Sequence, residues 1–145
     1  MMNKILEDLK KLKDVYNETE EFVIGDDLKV KLKLLSSEEE TEVHSYAMQY
    51  SGGLAYLFSI KRETVTRSII ALNNRDISEY IEELNDKGIV EKVQRHSWLR
   101  NNVTKGWSQI LVDNVWNHYA SLMSKAEAKI TSGIKTEEVK KDASE

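Results

Sequence analysis

Three histidines, His44, His96 and His118, are the side chains best suited to acid–base or metal chemistry near neutral pH. None lies four residues from another, and none sits at a recognised metal-ligand spacing from an Asp or Glu. The absence of cysteine removes thiol nucleophiles, thiolate–zinc sites and disulfides together. Serines are frequent, yet no Gly-x-Ser-x-Gly turn exposes one. Ser51-Gly52-Gly53 is followed by no Gly-Lys-Ser/Thr, so it reads as a helix break and not a phosphate loop. The acidic run Glu38–Glu42 reads as a solvated helix start. The expectation is a chain without catalytic, cofactor or metal residues, whose function lies in its surfaces.

Those surfaces are carried by one modest domain. The chain has 145 residues, 40% hydrophobic and 32% charged, enough for a single core without a staple. A net charge of -4 and a pI near 5.5 weaken a nucleic-acid reading, because duplex binding needs a basic surface. No leader-like apolar segment opens the sequence, and none approaches the ~20 apolar residues of a membrane span. Proline is absent, which favours long helices.

The expected class is α+β, mostly α, with an N-terminal helix and a β-hairpin followed by about four to five helices. Ile5, Leu6, Leu9, Leu12, Val15 and Tyr16 give the first helix, within residues 1–19, an apolar face. A hairpin over 20–35 follows. Phe22-Val23-Ile24 meets Gly25-Asp26-Asp27, and Leu28, Val30, Leu32 and Leu34 then alternate with Lys29, Lys31 and Lys33. Residues 37–132 read as helical. Ser36 or Ser37 with Glu39 or Glu40 makes a capping box, and Val43, Tyr46, Ala47 and Tyr50 give the inner face.

Leu54–Ile60 reads as a buried helix, and Val65–Leu72 is open between helix and extended chain until Asn73-Asn74. Asp76-Ile77-Ser78-Glu79 looks like a second capping box, with Gly88 as the C-terminal cap of a helix over 76–88. Residues 90–103 are expected to be helical with Val90, Val93 and Trp98 inward. The longest helix is expected over 106–130, and a frayed tail over 133–145.

Candidate partner-binding residues are Lys29, Lys31 and Lys33 on the wet hairpin face, with the aromatics Tyr56, Phe58, Trp98, Trp107, Trp116 and Tyr119. The helices carry more aromatics than a small core needs, and tryptophan is enriched at binding hot spots. The simpler alternative for the tryptophans is two in the core and one at an interface. An edge strand could also accept a partner's strand.

One rival reading is a winged-helix DNA-binding regulator. Ile77–Val93 resembles a helix leading through Lys87-Gly88-Ile89-Val90 into a wing. Lys92, Arg95, Arg100 and Lys105 follow with no acid between them, and Arg62, Arg67 and Arg75 lie upstream. Against it, the supposed recognition helix carries Glu79, Glu82, Glu83 and Asp86, which would face phosphates.

The order of motifs resembles a family. The strand Gly25-Asp26-Asp27-Leu28-Lys29-Val30-Lys31-Leu32-Lys33-Leu34-Leu35, running into Ser36-Ser37-Glu38-Glu39-Glu40, is similar to the opening of tailed-phage tail assembly chaperones. It also resembles the baseplate-hub assembly proteins of contractile-tail phages. Lys61-Arg62-Glu63-Thr64-Val65-Thr66-Arg67-Ser68-Ile69 resembles their Lys-x-Glu-Thr-Leu-x-Arg-Ser-Ile segment. Ile110–Leu122 resembles their closing helix, ending in Tyr119-Ala120-Ser121-Leu122. The resemblance spans roughly residues 20–125. Such hub proteins often carry a proline-rich strand start, which this chain lacks.

The resemblance implies a non-enzymatic factor that binds other tail or baseplate-hub proteins, the tape-measure protein among them. It implies no cofactor and no membrane, allows self-association, and places the chain in the host cytoplasm or the virion's tail baseplate.

Overall fold

The computed structural model describes the backbone of residues 2–15 and 18–144, and the side chains of 2–11 and 18–131. Helix α1 spans Met2–Val15 and is followed by strands β1 (Thr19–Ile24) and β2 (Leu28–Lys33). Helices α2 (Ser37–Ala47) and α3 (Leu54–Ser68) come next. Four short strands follow: β3 (Ile69–Leu72), β4 (Arg75–Asp76), β5 (Tyr80–Leu84) and β6 (Val90–Gln94). The chain ends with α4 (Arg95–Asn102) and α5 (Gln109–Ser144). The class is mixed α+β and mostly helical, with the N-terminal helix and hairpin in the expected order.

The hairpin forms as its alternation requires. Val30 and Leu32 are fully buried, while Lys29, Lys31 and Lys33 are partly exposed on the opposite face. β2 is not an edge. Antiparallel pairing gives the sheet order β1-β2-β3-β4, with a register shift between Lys31 and Leu32. The edge strands are β1 and β4. The capping box forms with Ser36 and Glu39: the Ser36 hydroxyl accepts from the Glu39 amide, and the Glu39 carboxylate accepts from the Ser36 amide.

Three segments differ from expectation. Val65–Leu72 is both alternatives in turn, because α3 ends at Ser68 and Ile69–Leu72 joins β2. Asn73 and Asn74, with φ of 51° and 65°, then form the two-residue hairpin turn to β4, and the Asn73 side chain accepts from the Lys29 amide at 2.8 Å.

The expected helix over 76–88 is instead β4 and β5, and 90–94 is β6. β5 and β6 form a separate two-stranded sheet, in which Tyr80 lies opposite Gln94 and Leu84 opposite Val90. The Asn85 side chain accepts from the amides of Lys87 and Ile89, and Gly88 sits at φ 75°. A left-handed glycine suits a helix C-cap and a three-residue hairpin loop equally well. Pairing with β6 decides between them here. The recognition helix of the winged-helix reading is therefore a β-hairpin, in which Lys87-Gly88-Ile89 belongs to the turn and Val90 opens β6.

The last helix starts at Gln109 and runs on through the expected tail, 133–145, as far as Ser144; side chains from 132 onward lie outside the described residues.

The core is built by Val30, Leu32, Val65, Ile69, Leu99, Val115, Tyr119 and Leu122. Helix α3 lies at its centre, packed by α2, α4 and α5 and against β2 and β3.

Candidate interaction surfaces

The buried end of α3 holds a polar network. Glu63 is fully buried and accepts two hydrogen bonds from Arg100 on α4, Nε at 2.7 Å and Nη2 at 2.6 Å. This fork-to-fork pair is the strong geometry for a guanidinium and a carboxylate. Its hydrogen bond to Glu63 holds the Arg100 guanidinium above its ordinary pKa. The same guanidinium stacks over Tyr46 at 4.0 Å from the ring centroid. The Thr66 hydroxyl donates to the Arg62 carbonyl at 2.6 Å and lies 2.8 Å from the Thr104 hydroxyl. Arg67, 8% exposed, pairs with Glu42 on α2.

Next to this network lies a polar cleft of about 310 Å³ between α2, α3 and the β5–β6 hairpin. Lys33, Glu39, Glu42, Arg67, Arg95 and His96 line it. Lys33 Nζ reaches both Glu39 oxygens at 2.8 and 2.9 Å. Burial raises the Glu39 pKa, but the Lys33 and Ser36 hydrogen bonds outweigh it and the net shift is downward. Arg95 donates to the Ile77 carbonyl at 3.0 Å, fastening α4 to the chain ahead of β5. Burial, with Arg67 and Arg100 nearby, pushes the His96 imidazole below its ordinary pKa. Glu39 and Glu42 already have cations, and Glu38, Glu79 and the Tyr80 hydroxyl also line the cleft. Its paired groups fasten α2 to β2 and α3, and α4 to the chain ahead of β5.

The three histidines lie apart. His44 Nδ1 is 3.3 Å from the Tyr56 hydroxyl, and His118 stacks on Phe22 with ring centroids 3.7 Å apart. Among the described residues no three of His, Asp or Glu gather as a metal site. No helix among them is long and apolar enough to cross a membrane.

Of the nine residues proposed from sequence as partner-binding, Phe58 alone is exposed, at 44%. Lys29 Nζ lies 3.2 Å from Glu21, and Lys33 belongs to Glu39, so two of the three lysines already have carboxylates. Lys31 is partly exposed between them. Trp98, Trp107 and Trp116 are partly buried, packed against the core and sealing it. Tyr119 is 2% exposed, and its hydroxyl accepts from the Leu35 amide at 3.2 Å. Tyr56 is half-buried.

Sequence reasoning missed the neighbours of Phe58. Leu54 and Leu57, expected to be buried, are 67% and 54% exposed, and Met48 and Tyr50 on the preceding turn are 62% and 37% exposed. On the β5–β6 hairpin, Tyr80, Leu84 and Val90 are also exposed. The signal was present: Leu54-Ala55-Tyr56-Leu57-Phe58 is apolar all round the start of α3, more than one buried face could use.

The chain matches no protein-family model, and no curated protein or solved structure is significantly similar to it.

Proposed function

We propose that this chain is a phage tail or baseplate assembly factor that acts without catalysis, by binding other tail or hub proteins. The observation that carries the reading is the exposed apolar start of α3, where Leu54, Leu57 and Phe58 stand beside Met48 and Tyr50. Apolar side chains grouped on a surface mark a contact with another protein. The motif order over roughly 20–125 supplies the identity of that protein, a tail or baseplate-hub component such as the tape-measure protein. The working place is then the infected host's cytoplasm or the baseplate itself.

The DNA-binding reading loses support from the same geometry. Its recognition segment is the β5–β6 hairpin. Arg67, Arg95 and Arg100 already contact Glu42, the Ile77 carbonyl and Glu63.

The test is capture of the tagged chain from infected cells, read by mass spectrometry. Tail or hub proteins should be recovered, and Leu57→Glu with Phe58→Glu should lose them while the melting transition stays in place. Recovery of no tail component, or a band shift with duplex DNA at low salt, overturns the reading.

A further inference from the structure

Helix α1 has a solvent-facing apolar stripe along its whole described length. Every described side chain on it, from Met2 to Lys11, is exposed, and Ile5, Leu6 and Leu9 are 47%, 51% and 57% exposed. It has only 14 residues and no acidic first turn to favour its dipole. Helices below ~12–15 residues are marginal in water without packing. An amphipathic helix of this length needs a surface against its stripe.

The spacing indicates which surface. Positions 2, 5, 9 and 12 are Met, Ile, Leu and Leu, separated alternately by three and four residues. These are the a and d positions of a heptad, with Leu6 at e. Asp8 then falls at g, and position 13, a lysine, falls at the following e. In two parallel helices, g of one lies beside the next e of the other, so opposite charges meet on both sides of the seam. In antiparallel helices g faces g, and the g positions 8 and 15 offer no lysine. A lipid surface fits less well, because α1 balances four lysines against three acids.

We propose that α1 is a self-association helix, packing in parallel register with α1 of other copies of this chain. The proposal does not depend on the assembly-factor reading. Leu9 at a and Ile5 at d favour assemblies above two strands, and the Leu6 stripe widens the seam in the same sense.

Analytical ultracentrifugation of the full chain across the micromolar range tests it. The chain should sediment as a concentration-dependent oligomer. Ile5→Asp with Leu9→Asp should raise the dissociation constant by about 100-fold or more, with the thermal transition of the body unchanged. Asp8→Lys alone should weaken the assembly, and Asp8→Lys combined with Lys13→Asp should restore it. A monomer at every concentration overturns the proposal. An oligomer indifferent to the Ile5 and Leu9 changes also overturns it, and a charge swap that restores nothing overturns the parallel register.

Discussion

The two ends of helix α3 face opposite environments, and each carries the residues expected of the other. Its start is Leu54-Ala55-Tyr56-Leu57-Phe58, and Leu54, Leu57 and Phe58 face water. Its end is Glu63-Thr64-Val65-Thr66-Arg67-Ser68, every residue of it buried. The buried end is surrounded by α2, α4 and α5 and by the sheet, so no side is left for a polar residue to escape. Most of those groups are partnered, Glu63 by Arg100, Arg67 by Glu42 through one guanidinium nitrogen and Thr66 by Thr104, which offsets their burial, although Arg67 Nε has no partner. The exposed end has no such enclosure. A polar interior specifies which elements pack together, whereas an apolar exterior leaves a contact unmade within the chain. The difference separates a part of the helix that holds the fold from a part free to hold something else.

The largest break in that contrast comes from Glu63. Glu63→Ala leaves the Arg100 guanidinium, 14% exposed, without its carboxylate. Removing one partner of a buried pair strands the other charge, and the loss should be about 3 kcal/mol, read by urea denaturation. Replacing both, Glu63→Leu with Arg100→Met, should recover much of it, because the stranded charge goes too. Thr66→Val is the next step down. It keeps the shape but deprives the buried Thr104 hydroxyl of its partner, and should cost about 1–2 kcal/mol in the same experiment.

A smaller effect follows from pH. His96 is half-buried next to Arg67 and Arg100, and its folded pKa lies below the ordinary 6.5. The unfolded chain therefore binds the proton first, and stability falls as pH drops below about 6.5 towards the depressed folded value. Glu39, also depressed, adds its own loss only below its ordinary 4.5, as pH falls through its folded value. The denaturation midpoint should thus decline between pH 7 and 5, and His96→Gln should flatten that decline. An equally steep decline in the variant would remove His96 from the account.

What was legible in the sequence is what local rules decide. The alternation of Leu28, Val30 and Leu32 with lysines placed the hairpin, and Ser36 or Ser37 with Glu39 or Glu40 placed the start of α2, because strand faces and caps are settled within a few residues. The β5–β6 hairpin was not legible. Asn85-Asp86-Lys87-Gly88 serves a helix end or a hairpin turn alike, and only the distant pairing of Tyr80 with Gln94 distinguishes them. The reversed polarity of α3 was hidden for the same reason, since Glu63 meets its partner 37 residues away. Lys29 and Lys33 looked free because Glu21 and Glu39 reach them only once strand and helix are in place. Of the expected contact residues Phe58 alone is exposed, and its apolar neighbours read as core in the sequence because apolarity by itself carries no direction.

The smallest stability change is expected where the side chains are largest. Leu57→Glu removes an apolar group that is 54% exposed and leaves no cavity in the core. It lies in the first turns of α3, where the helix dipole favours a carboxylate, offsetting part of the apolar area lost. Urea denaturation should move by no more than about 0.5 kcal/mol in either direction. That near-silence, set against the loss at Glu63 six residues further along, would mark where α3 stops serving the fold. A loss at Leu57 approaching that at Glu63 would mean the start of α3 is packed in solution, and the contrast between the two ends would collapse.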